Sequence, residues 1–437
     1  MSPESLLARG VAHGRTDFVP MLTTAAGPGL GSPRSGRRRA VREAPRGRAP
    51  RVARRGLSDG TKGGDEVRKR SWGWRAAAVV AALALALGLA ACGDDNDSGS
   101  ASDTSGGSST TLDVAYVTAE QHPYGIAVDA FAKQVNATGA LTLKGQPLYP
   151  QSEIQLLSDV RSGVVPMATV STAVFDTAGI TAFQALQAPF LITNYGLEGE
   201  VLNGDIGTKM IADATEQAGD LQVLTVHEGG LRKPFGKEKL ASVADFKGKT
   251  IRAPQSQVLA DGLAALGANV EPLPLPDVYQ ALQNGTVDGV EANLPLIYTS
   301  KWYEQAKFIT GNVNFWPFPT ALVVNKTVYD GLTTDQQTAL TDAAAPLADT
   351  SIAIFTNTNP PVNYPQELVN CGAEFIASTP AEYTALQNAG QSAVSKLAPE
   401  SQAFVKDIQQ VKDAQPPPPK PPPFPTTKTG DCVPPPG

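Results

Sequence analysis

Histidine is scarce in this chain, three residues in 437, and only His122 and His227 lie beyond the first hundred positions. No H-E-x-x-H helix, no C-x-x-C pair and no G-x-S-x-G elbow is present, so the usual zinc, redox and serine-hydrolase signatures are missing. Three cysteines do not make a disulfide scaffold, and 6% aromatic content with abundant Ala, Gly and Val points to alternating helices and strands. The triplet Gly248-Lys249-Thr250 imitates the end of a phosphate loop. That motif needs a glycine five positions before Gly248, where Val243 stands. No cofactor is implied, and the reading is of a protein that is not an enzyme.

Residues 1–66 are rich in Lys and Arg and carry no apolar period, so they cannot bury a core and read as a disordered or mis-called leader. Residues 67–91 then show a basic start followed by the run "AAAVVAALALALGLAA", which reads as a secretory signal peptide. The run ends in Leu89-Ala90-Ala91-Cys92, which resembles a bacterial lipobox and makes Cys92 the expected lipidation site. Residues 92–110 are a polar tether. From Cys92 onward, 19 Lys and Arg face 36 Asp and Glu, a net charge of −17 that disfavours nucleic acid. The expected location is extracytoplasmic, with a lipid anchor holding a monomer to the outer face of the membrane.

Beyond the tether the pattern is βαβ. "TLDVAYVTA" reads as a strand, and "GIAVDAFAKQVNAT" as a helix with Ile126, Val128, Phe131 and Val135 inside. "SEIQLLSDVRSG" is a helix capped by Ser152. The rhythm resumes at "LQVLTVHEGG", "KTIRAP", "SQVLADGLAALG", "PDVYQALQNG" and "TVDGVE". In such sheets ligands sit beyond the carboxyl ends of strands, and Arg252 ends one. Its guanidinium is either held by the protein's own Asp288 or Glu291 or available to a ligand. Cys371 and Cys432 are expected to pair, closing a loop worth about 4 kcal/mol in the chain-entropy model and tying down the Pro-rich tail 413–437. The alternative is two free thiols.

Residues 243–310 carry D-x-K-G-K-x-I-R-x-P, A-L-G-A, D-V-Y-x-A-L-Q-x-G, V-D-G-x-E and W-Y-E-x-x-K in order. This series resembles the DctP-type solute-binding proteins of TRAP transporters. The resemblance implies an α/β, type II-like clamshell with a long helix spanning both lobes. Lobe I would hold 111–229 plus 318–357 and lobe II 230–317 plus 358–412. It further implies that a small organic acid anion is captured and handed to the small and large subunits of a membrane permease. Arg252 matches the family arginine that binds the substrate carboxylate, and Arg232 matches a second one in a glycine-containing segment. Asn293 and Glu291 flank Ala292, where many members carry a ligand-binding asparagine, and Leu275 replaces a frequent aromatic wall residue. Trp316 is a candidate roof. Glu120, His122, Glu153 and Ser171 are candidates on the opposite lobe, placed near strand ends or helix starts. An ABC-importer receptor or a ligand-presenting sensor lipoprotein are the alternatives.

Overall fold

The computed structural model describes residues 110–357, 362–418 and 423–435. The leader, the signal peptide, Cys92 and all but the last residue of the tether lie outside them. Two mixed sheets organise the chain. The first, in the order β2-β1-β3-β10-β4, joins β1 (Thr111–Ala115), β2 (Thr142–Gln146), β3 (Met167–Ser171), β4 (Leu221–His227) and β10 (Thr320–Asn325). The second has the order β11-β9-β5-β8-β6-β7. It joins β5 (Lys233–Gly236), β6 (Thr250–Ala253), β7 (Asn269–Pro272), β8 (Gly289–Ala292), β9 (Phe308–Thr310) and β11 (Glu374–Ile376). Each sheet is parallel except for one inserted strand, β10 in the first and β5 in the second. Those are the strands reached at the first two crossings between the sheets; a third crossing, through helices, leads to β11. The result is a two-lobed clamshell.

Local sequence explains the elements near the cleft. Ser152 caps Glu153–Arg161 by accepting the Gln155 N–H, and Leu156, Leu157 and Val160 fill the core. Ser256 caps Gln257–Ala265 in the same way. The helix Pro123–Thr138 buries Tyr124, Ala127, Val128, Phe131, Ala132 and Val135. Ile126 was expected inside and is 38% exposed, because the stripe set by Phe131 and Val135 runs through 124, 127 and 128, and Ile126 lies outside it.

The two crossing segments hold each other. Arg232 N–H donates to Trp316 O at 2.9 Å, and Phe315 N–H donates back to Arg232 O at 2.9 Å. At Gly230, with φ at +108°, an added Cβ would lie 2.6 Å from the Asn293 amide, so this turn needs glycine.

Two expectations are corrected. No helix among the described residues exceeds 16 residues, so the single long helix is absent. The stretch after β10 is instead helical in pieces, Thr334–Ala344, Leu347–Thr356 and Tyr364–Asn370. Pro346 has no N–H to continue the ladder and separates the first two. Second, the helix Pro399–Ala414 does not belong with lobe II. Its Phe404 and Ile408 sit in the core of the first lobe with Val201 and Met210.

Cys371 and Cys432 form a disulfide with Cα atoms 4.4 Å apart. The tail is packed as well as tethered. Phe424 stacks on Phe375 at 4.4 Å between ring centres, and the Tyr298 hydroxyl donates to Val433 O at 2.5 Å.

Candidate functional site

Between the lobes lies a cavity lined by Val117, Thr118, His122, Tyr124, Glu153 and Phe318 on one side. Arg232, Arg252, Pro254, Leu275, Asn293 and Leu296 close the other. Its free space is about 340 Å3 counting the open mouth, and only about 20 Å3 of it admits the centre of a water molecule, so a ligand of several heavy atoms enters only as the lobes part. A roomier depression, about 1040 Å3 by the same measure, lies elsewhere on the first lobe, but it is open and bordered by exposed Asp335 and Asp342. Converging buried charge is found only between the lobes among these two.

Arg252 leaves β6 at the cavity, 3% exposed. Its Nε and Nη2 both donate to Leu273 O, at 3.0 and 2.6 Å. Among the described residues no carboxylate forms a salt bridge with it. Asp288 is occupied elsewhere, accepting the Thr250 N–H at 2.8 Å. Burial, with Arg232 adding its positive charge, pulls the Arg252 pKa down to about 10, against the pull of Glu291 and Glu153. The side chain remains a cation at neutral pH.

Arg232 is held quite differently. Its Nε and Nη2 reach Glu291 Oε2 and Oε1 at 2.5 and 3.1 Å, and Nη2 also donates to Glu291 O at 2.6 Å. Its guanidinium stacks 4.4 Å above the Phe318 ring. Both members of the pair are at most 1% exposed. Arg232, matched in sequence to a second substrate-binding arginine, does line the cavity, and its charge is paired with Glu291 from the neighbouring strand β8. Glu291 itself lies behind Arg232, outside the cavity lining.

Asn293 borders the cavity, yet its amide is engaged. Its Oδ1 caps Leu294–Thr299 by accepting the Leu296 N–H at 2.7 Å, and Nδ2 donates to Gly229 O at 2.6 Å. Leu275 lies on the rim, half-buried. Trp316 does not roof the cleft. It is fully buried in the second lobe, with its ring against Gly262 and beside Phe315.

On the first lobe, the expected residues divide. Glu120 is exposed and outside the cavity. Ser171 is buried outside it, its hydroxyl accepting the Ala173 N–H at 3.1 Å, while its own N–H donates to Glu153 Oε1 at 3.0 Å. Glu153 lines the cavity. Burial raises its pKa, against the Ser171 hydrogen bond and the charges of Arg252 and Arg232.

His122 caps Pro123–Thr138, its Nδ1 accepting the Tyr124 N–H at 3.2 Å. Burial lowers its pKa to about 3, with Arg232 adding to it and the Asn293 side chain opposing it. The ring is therefore neutral, and with Nδ1 an acceptor the proton sits on Nε2. Tyr124, Thr118, Phe318 and Pro254 were not singled out from sequence. Thr118 lies in the loop after β1 and Tyr124 in the first turn of the helix that His122 caps, and proximity to that strand end and helix start was the available signal.

Two α/β lobes linked by crossing strands, with a buried cation on one wall of the cavity between them, define a clamshell binding protein. The chain matches the family described as "Bacterial extracellular solute-binding protein, family 7" over residues 114–401, and it belongs to that family. These are the DctP-type solute-binding proteins of TRAP systems, which bind substrates and are not enzymes.

Among its relatives, the C4-dicarboxylate-binding periplasmic protein DctP of Rhodobacter capsulatus is 31% identical over 48% of this chain and 64% of its own length. The 2,3-diketo-L-gulonate-binding periplasmic protein YiaO of Escherichia coli is 28% identical, over 56% of this chain and 75% of its own. The solved sugar acid binding protein of Advenella mimigardefordensis, in complex with galactonate, superimposes with a TM-score of 0.64 at 25% identity. That match covers 70% of this chain and 99% of the neighbour. A TRAP periplasmic solute-binding protein of Xanthobacter autotrophicus, with bound β-D-galacturonate, gives 0.63 at 24% identity over 68% and 99% of the two chains. No helix among the described residues is long and apolar enough to cross a membrane.

Proposed function

We propose that this protein captures a small organic acid anion outside the cytoplasm and delivers it to the small and large subunits of a TRAP membrane permease. The observation that carries this reading is the contrast between the two buried arginines. Arg232 is neutralised by Glu291, whereas Arg252 faces the cavity with only a carbonyl oxygen as partner. Its guanidinium is a rigid fork suited to a carboxylate, and the closed cavity strengthens such a pair by excluding water. Arg232 acts as a positioning residue, fixing β8 and the crossing segment from which the second wall is built.

Binding would proceed by closure. The arginine and the first-lobe residues reach one ligand together only when the lobes are near each other, so the ligand favours the closed state by that difference in affinity. Cys92, at the end of the signal-like run, would carry the lipid that keeps the receptor at the membrane. The names of its relatives and structural neighbours, which bind dicarboxylates and sugar acids, support an acid ligand.

A thermal-shift panel of organic acids tests the reading, because a ligand that binds only the folded state raises Tm by mass action. At least one carboxylate is expected to stabilise the protein. Absence of any shift across mono- and dicarboxylates, with and without hydroxyls, would overturn it.

A further inference from the structure

The charge on the cavity walls is unevenly distributed, and that bears on which acid fits. Three ionisable cavity-lining side chains can be charged at neutral pH: Arg252, Arg232 and Glu153. Arg232 is offset by Glu291, so the second-lobe wall presents one net positive charge, and the first-lobe wall facing it presents the Glu153 carboxyl, whose pKa burial raises against the pull of the two arginines. The lining therefore offers one full cation for one anionic group. A second carboxylate on the ligand would meet Glu153 without a cation of its own.

The first-lobe wall also holds two polar atoms that the fold leaves unused. Thr118 is 5% exposed and His122 1%, and neither Thr118 Oγ1 nor His122 Nε2 makes a hydrogen bond of good geometry among the described residues, although the Asn293 side chain lies near the His122 ring. Both border the cavity. A buried hydroxyl or ring N–H without a partner destabilises the unliganded protein, and a ligand that supplies the partner removes that penalty. Because Nδ1 accepts from the backbone, Nε2 can only donate. Thr118 can donate or accept, and Glu153, with Oε1 held by Ser171, has Oε2 left as an acceptor. A donor, an acceptor and a group that does both fit alcohol oxygens, which also donate and accept.

Resting on the organic-acid reading above, we propose that this site selects a monocarboxylate bearing several hydroxyls. Its carboxylate would be held by Arg252, and its hydroxyls by Glu153, His122 and Thr118. Dicarboxylates are disfavoured because the lining has no second unpaired cation for the other carboxylate, which would meet the acidic Glu153 instead. Plain aliphatic acids are excluded because they leave the three polar groups unpaired, the situation in which a site rejects an analogue lacking a hydroxyl most sharply.

The test is calorimetric titration with matched acids of four to six carbons: aldonates, the aldarates with a second terminal carboxylate, and unsubstituted aliphatic monocarboxylates. At least one aldonate is expected to bind, with its aldarate weaker by at least about tenfold and the aliphatic acid weaker still. Glu153→Gln is expected to narrow the aldonate-to-aldarate ratio. Thr118→Val, which removes a hydroxyl that the fold does not use, is expected to keep or raise Tm while weakening the aldonate about threefold to tenfold.

An aldarate or plain dicarboxylate that binds as tightly as the aldonate overturns the inference, as does an unchanged ratio in Glu153→Gln. An aliphatic monocarboxylate that matches the aldonate does the same. All three results leave the organic-acid reading standing. Failure of every acid to bind overturns both.

Discussion

The two walls of the cleft solve opposite problems with similar groups. The second-lobe wall buries two guanidinium groups. One is fully paired inside the protein, and the other is kept charged against little more than a backbone carbonyl. The first-lobe wall buries His122 without its extra proton beside Glu153, whose pKa burial raises, and Glu228, just beyond the wall, is pushed up to about 8. The unpaired cation is supplied by one lobe and most of the hydrogen-bonding groups by the other. Full pairing across the interface then requires closure.

Arg232→Ala should break this comparison most severely. It strands Glu291 in a dry strand without its counter-ion, and removing one member of such a buried pair costs roughly 3–5 kcal/mol. The expected result is a large fall in Tm measured without ligand, and a variant as stable as wild type would contradict the structural role given to the pair.

Arg252→Ala should do the reverse. Ligand affinity should fall by about 30-fold to 5,000-fold, the equivalent of roughly 2–5 kcal/mol, with a much smaller effect on Tm than Arg232→Ala has. Titration of the best ligand checks the first part and a thermal melt the second.

A third substitution addresses how the walls come together. Asp176 of the first lobe reaches across to the second. Its Oδ2 accepts the Ser256 hydroxyl at 2.9 Å and the Gln257 and Val258 N–H groups at 3.1 and 3.3 Å, capping the helix that follows Arg252. Loss of a helix cap costs about 1 kcal/mol. Because this cap joins the lobes, Asp176→Ala should open the unliganded protein and weaken binding severalfold without touching ligand. Small-angle scattering would show the larger radius, and an unchanged radius and affinity would refute the latch.

The smallest effect is on the pH profile. The Glu228 carboxyl is raised from 4.5 to about 8, burial being the main cause and the Gly230 and Gly229 N–H groups opposing it. A raised acid keeps its proton in the folded state while the unfolded chain ionises. Its stabilising contribution is thus complete below about pH 4.5 and is lost as pH rises toward about 8, at up to about 1.4 kcal/mol per pH unit. Glu228→Gln should remove that slope, so the gap between variant and wild-type Tm should widen across this range. In the second lobe Lys233, lowered to about 7 by burial, has the opposite sign, gaining stability from about 7 upward toward 10.5. Parallel melts of Glu228→Gln and Lys233→Met over pH 5–9 would separate the two.

Much of the fold could be read locally. Ser152 and Ser256 announce helix starts, Gly163 and Gly285 with positive φ follow the ends, and the apolar runs at 221–227 and 250–253 form the strands expected of them. Six of the expected cleft residues, Arg252, Arg232, Asn293, Leu275, His122 and Glu153, line one cavity. The misses have a common cause. Trp316 and Ser171 sit at positions that read as cleft-facing, but which way a side chain at a strand end turns depends on its partners across the sheet and on the next element. Glu120 lies only two residues from His122 and yet faces solvent.

The order of the motifs from Asp245 to Lys307, the capped helices and the single strand-end arginine at 252 were determined by the sequence itself, because each is a matter of spacing along one segment. Which arginine keeps its charge available was decided only by tertiary structure. Arg232 and Glu291 are 59 residues apart, and only the pairing of β5 with β8 brings them within 2.5 Å. That one long-range pairing leaves Arg252 as the uncompensated cation, and charge balance of this kind belongs to three-dimensional neighbours, which sequence order does not list.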